Sequence, residues 1–345
     1  MCEAKFVLSK KKVIDKYNEL KKTGLIVSYS YKTNREIGNI LQKLTDSEFS
    51  IHEFVEIDMI KNKDKISFFA QAWNKEQIKE IINKGVKKFV VDNEIDLNLL
   101  LEVIKKLNIK VDLSIRMKFQ EHRIGSGKYF VYGLPAIKVN HIIENIKDNK
   151  NLNKIGIHIH RKSQNTTEWE IKQELEDSLN KKSLERLNFV NIGGGLPSVY
   201  KSYTAKVMPY IFDKINEAKE WLKENNIETI IEPGRFIAAP AIKLFTKIIQ
   251  VQGNNIIINT TLYNCALDTL IGHHKMIIEN ELKPEDKGQY YLVKGNSPTR
   301  DDIFRYKVKL NNPKVGDKMV FINAGAYNYT TDFFGYKKLK TEIIE

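Results

Sequence analysis

The segment Tyr29-Ser30-Tyr31-Lys32-Thr33-Asn34 carries a primary amine to the end of the first apolar run of the chain. A lysine cation costs several kcal/mol to desolvate, so an amine in such a place is either solvated at a loop or held there for use. Its common use is a Schiff base: an amine whose charge is disfavoured attacks aldehydes, and pyridoxal 5'-phosphate (PLP) is the commonest aldehyde cofactor. Three further groups have matching chemistry. His160 closes the apolar run at 155–160, and Gly193-Gly194-Gly195 follows the run at 188–192. Glu232-Pro233-Gly234-Arg235 follows the run at 229–232. Consecutive glycines let backbone N–H groups approach an anion with no Cβ in the way, and Arg235 adds a bidentate cation beside them.

These residues need elements to position them. Apolar strand-like runs lie at 25–32, 51–57, 66–73, 87–92, 111–117, 155–160, 188–192 and 229–232. Helical periodicity fills 35–44, 75–84, 97–107, 139–146, 168–179 and 207–225 between them. Such alternation fits a closed (β/α)8 barrel or an open doubly wound sheet. The barrel has a specific signature, catalytic groups at the C-terminal ends of strands with anion sites after strands seven and eight. Lys32, His160, the three glycines and Glu232 fall at those ends.

After Arg235 the pattern changes to short β-like runs at 242–252, 255–259, 289–294, 317–323 and 339–344, with no long amphipathic helix. The expectation is therefore an α/β barrel over residues 1–236 and a mostly β domain over 237–345, joined rigidly near 236–241. The first residues are free to pack on the second domain.

Tyr29-Ser30-Tyr31-Lys32-Thr33-Asn34, His158-Ile159-His160-Arg161-Lys162-Ser163-Gln164, Asn191-Ile192-Gly193-Gly194-Gly195-Leu196-Pro197, Glu232-Pro233-Gly234-Arg235 and Gly325-Ala326-Tyr327 occur in that order. Over residues 6–336 the chain thereby resembles the fold-type III PLP-dependent decarboxylases. That family holds ornithine, diaminopimelate, arginine and carboxynorspermidine decarboxylases, with the alanine racemase barrel a more distant relative. The resemblance implies that Lys32 forms the Schiff base with the cofactor and that His160 stacks on its ring. It implies that Ser163, Gly193, Gly194, Gly195, Gly234, Arg235 and Tyr327 hold the phosphate. Glu232 would bond the protonated ring nitrogen, keeping the ring cationic so that it accepts the electron pair left when CO2 departs.

Departures from the family pattern bear on the substrate. The family's β domain carries a short glycine-to-acid motif with a cysteine that closes the partner subunit's site. The counterpart here is Gly295-Asn296-Ser297-Pro298-Thr299-Arg300-Asp301-Asp302, with Pro298 where the cysteine belongs. Proline has no proton to give, so Lys32, a water or Tyr327 must reprotonate the substrate carbon, or the reaction differs. Asp268 stands in the segment where diaminopimelate decarboxylases place an arginine. The expectation is a distal amine or guanidinium on the substrate, faced by Asp268, Asp301 or Asp302, with Arg300 pairing with the substrate's carboxylate or with those acids. Lys162, beside Arg161, replaces the glycine of the family's histidine-x-glycine-serine motif, and the two cations stand as extra anion binders by the phosphate, as readers of a second acidic group on a larger substrate, or as solvated charges.

The 345 residues carry 56 Lys and Arg against 43 Asp and Glu, a net charge of +13. The lysines are scattered among acids on helix faces rather than gathered with aromatics, which argues against a nucleic-acid binder. Cys2 and Cys265 give no disulfide framework or metal spacing, and no apolar run of about 18 residues is present. A cytoplasmic protein with neither membrane nor nucleic-acid partner is expected. His273-His274 reads as surface or site-edge polarity, and Trp73 and Trp169 as packing residues.

The reading is an amino-acid α-decarboxylase of polyamine or lysine biosynthesis, a homodimer with shared active sites in which Lys32, His160, Glu232 and Asp302 are catalytic. An amino-acid racemase or epimerase, a non-catalytic regulatory homologue and a nucleic-acid binder are the alternatives.

Overall fold

A computed structural model describes residues 3–69, 72–119, 132–203, 205–328 and 335–345. The chain divides into two compact units, Tyr17–Leu196 with Val207–Gly234, and Met1–Lys16 with Pro197–Lys206 and Arg235–Glu345.

The first unit is a closed parallel barrel. Its strands are Ile26–Ser30 (β1), Glu48–Ile51 (β2), Ile66–Phe69 (β3), Lys88–Val91 (β4), Val111–Lys118 (β5), Leu152–His158 (β6), Phe189–Asn191 (β7) and Glu228–Ile231 (β8). Each pairs in parallel with the next, and β8 closes on β1 through Ile230 opposite Ile26. These strands are rich in β-branched and aromatic side chains, and Val27, Tyr29, Phe49, Ile51, Leu113 and Ile157 are buried, as expected of strands covered on both faces. Helices join the strands, so the alternation in the sequence resolves to the barrel and not to an open sheet.

Local chemistry sets where the strands stop. After β1 a 3-10 turn, Tyr31–Thr33, leads into the helix Arg35–Leu44, whose N-cap Asn34 accepts from the Ile37 N–H at 3.2 Å. Tyr29 Oη donates to the Asn34 carbonyl at 3.1 Å, and Tyr31 Oη to Asn39 Oδ1 at 2.8 Å. Lys32 therefore sits in a turn held on both sides.

The run expected as a strand at 51–57 is different. The strand is Glu48–Ile51, and Phe54–Met59 is helical. Strand pairing decides this: Glu48, Phe49 and Ser50 are in register with Ser28, Tyr29 and Ser30, so the following apolar residues lie past the sheet. Ala70 and Gln71, expected in the third strand, lie outside the described residues.

The second unit is built on an eight-stranded sheet. Its main path runs Ile277–Ile278, Lys318–Ile322, Ile242–Gln252, Asn255–Ile258, Gln289–Lys294 and Ile303–Leu310. The N-terminal strand Lys5–Ser9 pairs antiparallel with Ile242–Gln252 and parallel with Lys340–Ile344. In the same unit the short helix Arg235–Ala241 runs directly into Ile242.

No helix among the described residues is long and apolar enough to cross a membrane.

Candidate active site

At the C-terminal ends of the barrel strands, titratable groups converge on one buried carboxylate. Glu232, just past β8, is 7% exposed. Its Oε1 accepts from Ser50 Oγ at 2.6 Å and from Asn191 Nδ2 at 2.8 Å, while His158 Nε2 stands 3.1 Å from Oε2. Burial alone would raise its pKa, but His158, Ser50 and Asn191 outweigh burial and bring it down to about 2. A carboxylate offers about four acceptor directions. Three are engaged here, and the fourth is on Oε2.

Lys32 is exposed by surface area, yet enough protein surrounds its amine that desolvation holds its pKa below the ordinary lysine value. Arg116 pushes the same way, against Glu232 and Glu56. Its Nζ lies 3.5 Å from His52 Nε2. The His52 ring stacks on Phe69 (centroids 4.5 Å apart, 17° between planes), and Phe69 meets His158 edge-on at 5.0 Å. Burial presses His52 to about 3 and lowers His158. The Nδ1 atoms of both rings are buried without a hydrogen-bond partner.

His160 lies two residues beyond the end of β6. Its Nδ1 accepts from the Gly194 N–H at 3.2 Å, so the neutral ring carries its proton on Nε2, and burial presses its pKa to about 3. An uncharged, oriented imidazole is a suitable face for an aromatic cofactor.

The glycine loop is tightly built. Gly193 and Gly195 hold φ of +68° and +102°, and a Cβ on Gly194 would stand 2.6 Å from the Glu232 carbonyl oxygen. The Gly193 N–H donates to Asn191 Oδ1 at 2.9 Å, so two of the loop's N–H groups serve to fix Asn191 and His160. A Cβ on Gly234 would collide with Thr33 Oγ1, which ties the end of β8 to the Lys32 turn. Ser163 is exposed. Arg161 pairs with Glu174 and with Glu168 at 3.5 Å, and Lys162 with Glu168 at 3.0 Å, so both cations have protein partners.

The second unit holds the other expected site residues. Arg235 is 5% exposed and grips Asp268 with both Nη atoms, Nη2 to Oδ1 at 2.8 Å, while Nη1 donates to Tyr200 Oη at 2.8 Å. Its guanidinium lies over the rings of Tyr200 and Tyr327, at 5.4 and 5.2 Å. Burial would lower its pKa, but the Asp268 bond outweighs it and drives it above the ordinary arginine value. His274 is buried against Tyr200, centroids 5.5 Å apart, and His273 is exposed.

Asp302 is fully buried. Its Oδ1 accepts from the Leu262 N–H at 2.8 Å, and Oδ2 from the Ser297 N–H and Oγ at 3.0 and 2.6 Å. It fastens its own loop to the helix Leu262–Cys265. Pro298, Arg300 and Asp301 on that loop are exposed. Cys265 is a buried free thiol, and Cys2 lies outside the described residues.

Ser50, His52, Phe69, Arg116, His158 and Asn191 belong to the barrel cluster without a role assigned from the sequence. Five of them lie at or next to the C-terminal end of a strand and Arg116 two residues before the end of β5, so the strand-end rule that picked out Lys32 reaches them too.

Residues 11–239 match the model of the pyridoxal-dependent decarboxylase family, pyridoxal binding domain. The chain belongs to that family. The residues present fit the cofactor: an amine with lowered pKa, a neutral flat imidazole and an ionised carboxylate with one open acceptor direction.

Among curated relatives, a probable chloroplastic diaminopimelate decarboxylase of Oryza sativa is 24% identical over 69% of this chain and 51% of its own length. Ornithine decarboxylase of Mus musculus is 25% identical over 76% of this chain and 62% of its own. The chain thus spans between half and two-thirds of the length of these two. Diaminopimelate decarboxylase of Helicobacter pylori, solved with L-lysine, superposes with a TM-score of 0.83 at 20% identity, covering 100% of this chain and 92% of that one. It shares the fold.

Proposed function

We propose that the protein is a PLP-dependent α-decarboxylase of an amino acid with a distal amine or guanidinium. The observation that carries the reading is Glu232, buried with Ser50, Asn191 and His158 as its hydrogen-bond partners, with an acceptor direction open for a ring N–H. When bound, the cofactor supplies an electron sink for the bond to the α-carboxylate. The protein's residues do the rest. Lys32, kept from holding its proton as tightly as a free lysine, serves as nucleophile toward the aldehyde and then as proton carrier at the substrate carbon. His160 orients the ring by its face, and the Gly193–195 loop holds His160 and Asn191 in place. Ser163, Gly234, Arg235 and Tyr327 complete the phosphate site in this reading, with Asp268 holding Arg235.

For the substrate, Asp301 is the acid of the expected readers with an exposed carboxylate, since Asp268 and Asp302 are engaged within their unit. We assign Asp301 to the distal cation, Arg300 to the substrate's carboxylate and Asp302 to holding their loop. The relatives named for diaminopimelate and ornithine support a basic substrate. We further propose a homodimer in which this loop completes the partner's site, located in the cytoplasm, where a free Cys265 thiol persists.

Incubating the purified protein with PLP and lysine, ornithine, arginine, diaminopimelate and carboxylated polyamines, while following CO2, tests the reaction. Loss of optical rotation without CO2 would establish the racemase alternative, which Pro298 in place of the family cysteine favours. Mixing inactive Lys32→Ala with inactive Asp301→Ala tests the shared site. Random exchange restores about a quarter of wild-type activity if the loop acts across subunits, and nothing if it acts within one.

A further inference from the structure

His158 is 1% exposed and touches Glu232 rather than any position expected of substrate. The protons of this cluster are fixed by its hydrogen bonds. Asn191 Oδ1 accepts from the Gly193 N–H, so its Nδ2 must face Glu232 as a donor. Ser50 Oγ stands 2.7 Å from Ser28 Oγ and donates onward to the carboxylate. His158 Nε2 faces Oε2 at 3.1 Å, and Nδ1 has no partner. A proton on Nδ1 would leave a buried N–H without an acceptor and set the Nε2 lone pair against a carboxylate lone pair. The proton is therefore on Nε2, and the ring is a neutral donor. Phe69 packs edge-on against the His158 imidazole and stacks on His52.

We propose that His158 is a positioning residue that keeps Glu232 anionic with a single acceptor direction open on Oε2, so that the carboxylate selects a cofactor ring bearing an N–H. The proposal rests on the cofactor assignment and deepens it: the specificity for a protonated ring nitrogen is built by a residue that does not touch the ring. Burial lowers the pKa of His158, with Glu232 opposing and Arg116 and Lys32 adding to the shift, so the ring stays neutral at physiological pH. A cationic imidazole would neutralise the carboxylate; a neutral one leaves its charge for the ligand.

The test is the affinity of the full chain for PLP and for its 1-deaza analogue, in which a C–H replaces the ring nitrogen. Wild type is expected to prefer PLP by roughly 10- to 100-fold, the value of one hydrogen bond to a buried charge. His158→Leu removes the donor, and the preference should fall to within about 3-fold, because Oε2 then loses the bond that aims its open acceptor direction. His158→Gln, whose amide nitrogen reaches the place of Nε2, should keep most of the preference. A merely structural role for His158 would weaken both ligands equally in both variants, and that result overturns the proposal, as does a Leu variant that discriminates like wild type.

Nitrogen NMR of His158 in the wild-type protein provides an arm that no misfolded variant can spoil. A protonated Nε2 and a bare Nδ1 from pH 6 to 8 are expected, and the reverse tautomer or a cationic ring contradicts the proposal. A wild type that takes up neither ligand would overturn the cofactor assignment first, which separates the two failures.

Discussion

Two buried carboxylates, Glu232 at the barrel end and Asp268 in the β unit, face opposite surroundings. Glu232 is held by a hydroxyl, an amide and a neutral imidazole, and its charge is left over. Asp268 is held by both Nη atoms of Arg235, and its charge is cancelled in place. Neutral donors stabilise an anion without consuming it, so a site built from them can still bind a cation or an N–H. An ion pair fixes geometry and leaves little of the acid's charge for a ligand. Glu232 has the properties of a binding group, and Asp268 those of a support that holds the Arg235 guanidinium over Tyr200 and Tyr327.

The sharpest way to break this contrast is to remove the anion from the pair. Asp268→Ala takes the carboxylate away from the buried Arg235 cation and should cost about 3–5 kcal/mol of stability, measured by denaturant unfolding of the full chain. Adding Arg235→Met should recover more than half of the loss, since a buried pair replaced by apolar groups is often neutral. A mild effect of Asp268→Ala alone would mean that the pair is solvated.

Removing the other carboxylate should act on chemistry instead. Glu232→Ala is expected to bind PLP roughly 10- to 100-fold more weakly and, when filled at saturating PLP, still to lose turnover by a factor on the order of 10²–10³, the size of a lost electrostatic partner. Full rescue of activity by excess PLP would move Glu232 from tuning to binding alone.

Acid should separate the two regions as well. His52 and His160 are held near 3 and His158 is lowered, against 6.5 for a free imidazole. In the folded chain they are neutral, whereas the unfolded chain takes up protons below about 6.5. Stability is therefore fully present above pH 6.5 and is lost as pH falls toward 3, by up to about 1.4 kcal/mol per pH unit for each histidine. Glu232, with its pKa lowered from 4.5 to about 2, adds to the loss below pH 4.5. A melting temperature that stays flat between pH 4 and 6.5 would show that these rings are hydrated.

The smallest effect is expected at Lys162, a half-buried cation paired with Glu168. Lys162→Ala should change stability by less than about 0.5 kcal/mol, and PLP affinity by less than 2-fold if the cation is occupied by its acid. A larger fall in PLP affinity would place Lys162 at the phosphate.

Much of this was legible in the sequence, for identifiable reasons. The helix at 35–44 and the strands at 242–252 and 289–294 have the expected bounds, because caps, turns and periodicity agree there. The strand Ile303–Leu310 escaped notice because its charged residues, Arg305, Lys307 and Lys309, broke up the apolar run. Arg305 is in fact buried, donating to the Met276 carbonyl at 3.0 Å and to Glu281 at 2.8 Å. Lys32, His160 and Glu232 were legible from type and strand position. The bond between Asp268 and Arg235 was not, since nothing local in a sequence pairs residues 33 positions apart. The inward face of Asp302 was hidden for the same reason: which way a loop acid points depends on the backbone N–H groups it finds, here those of Leu262 and Ser297.

The most direct test of the central claim is to load the protein with PLP, reduce it with borohydride and map the modified peptide by mass spectrometry. The account predicts a yellow holoprotein whose colour is lost on reduction, with the pyridoxyl group on Lys32 and none in Lys32→Ala. A pyridoxyl group fixed on any other lysine of the wild-type chain would contradict it.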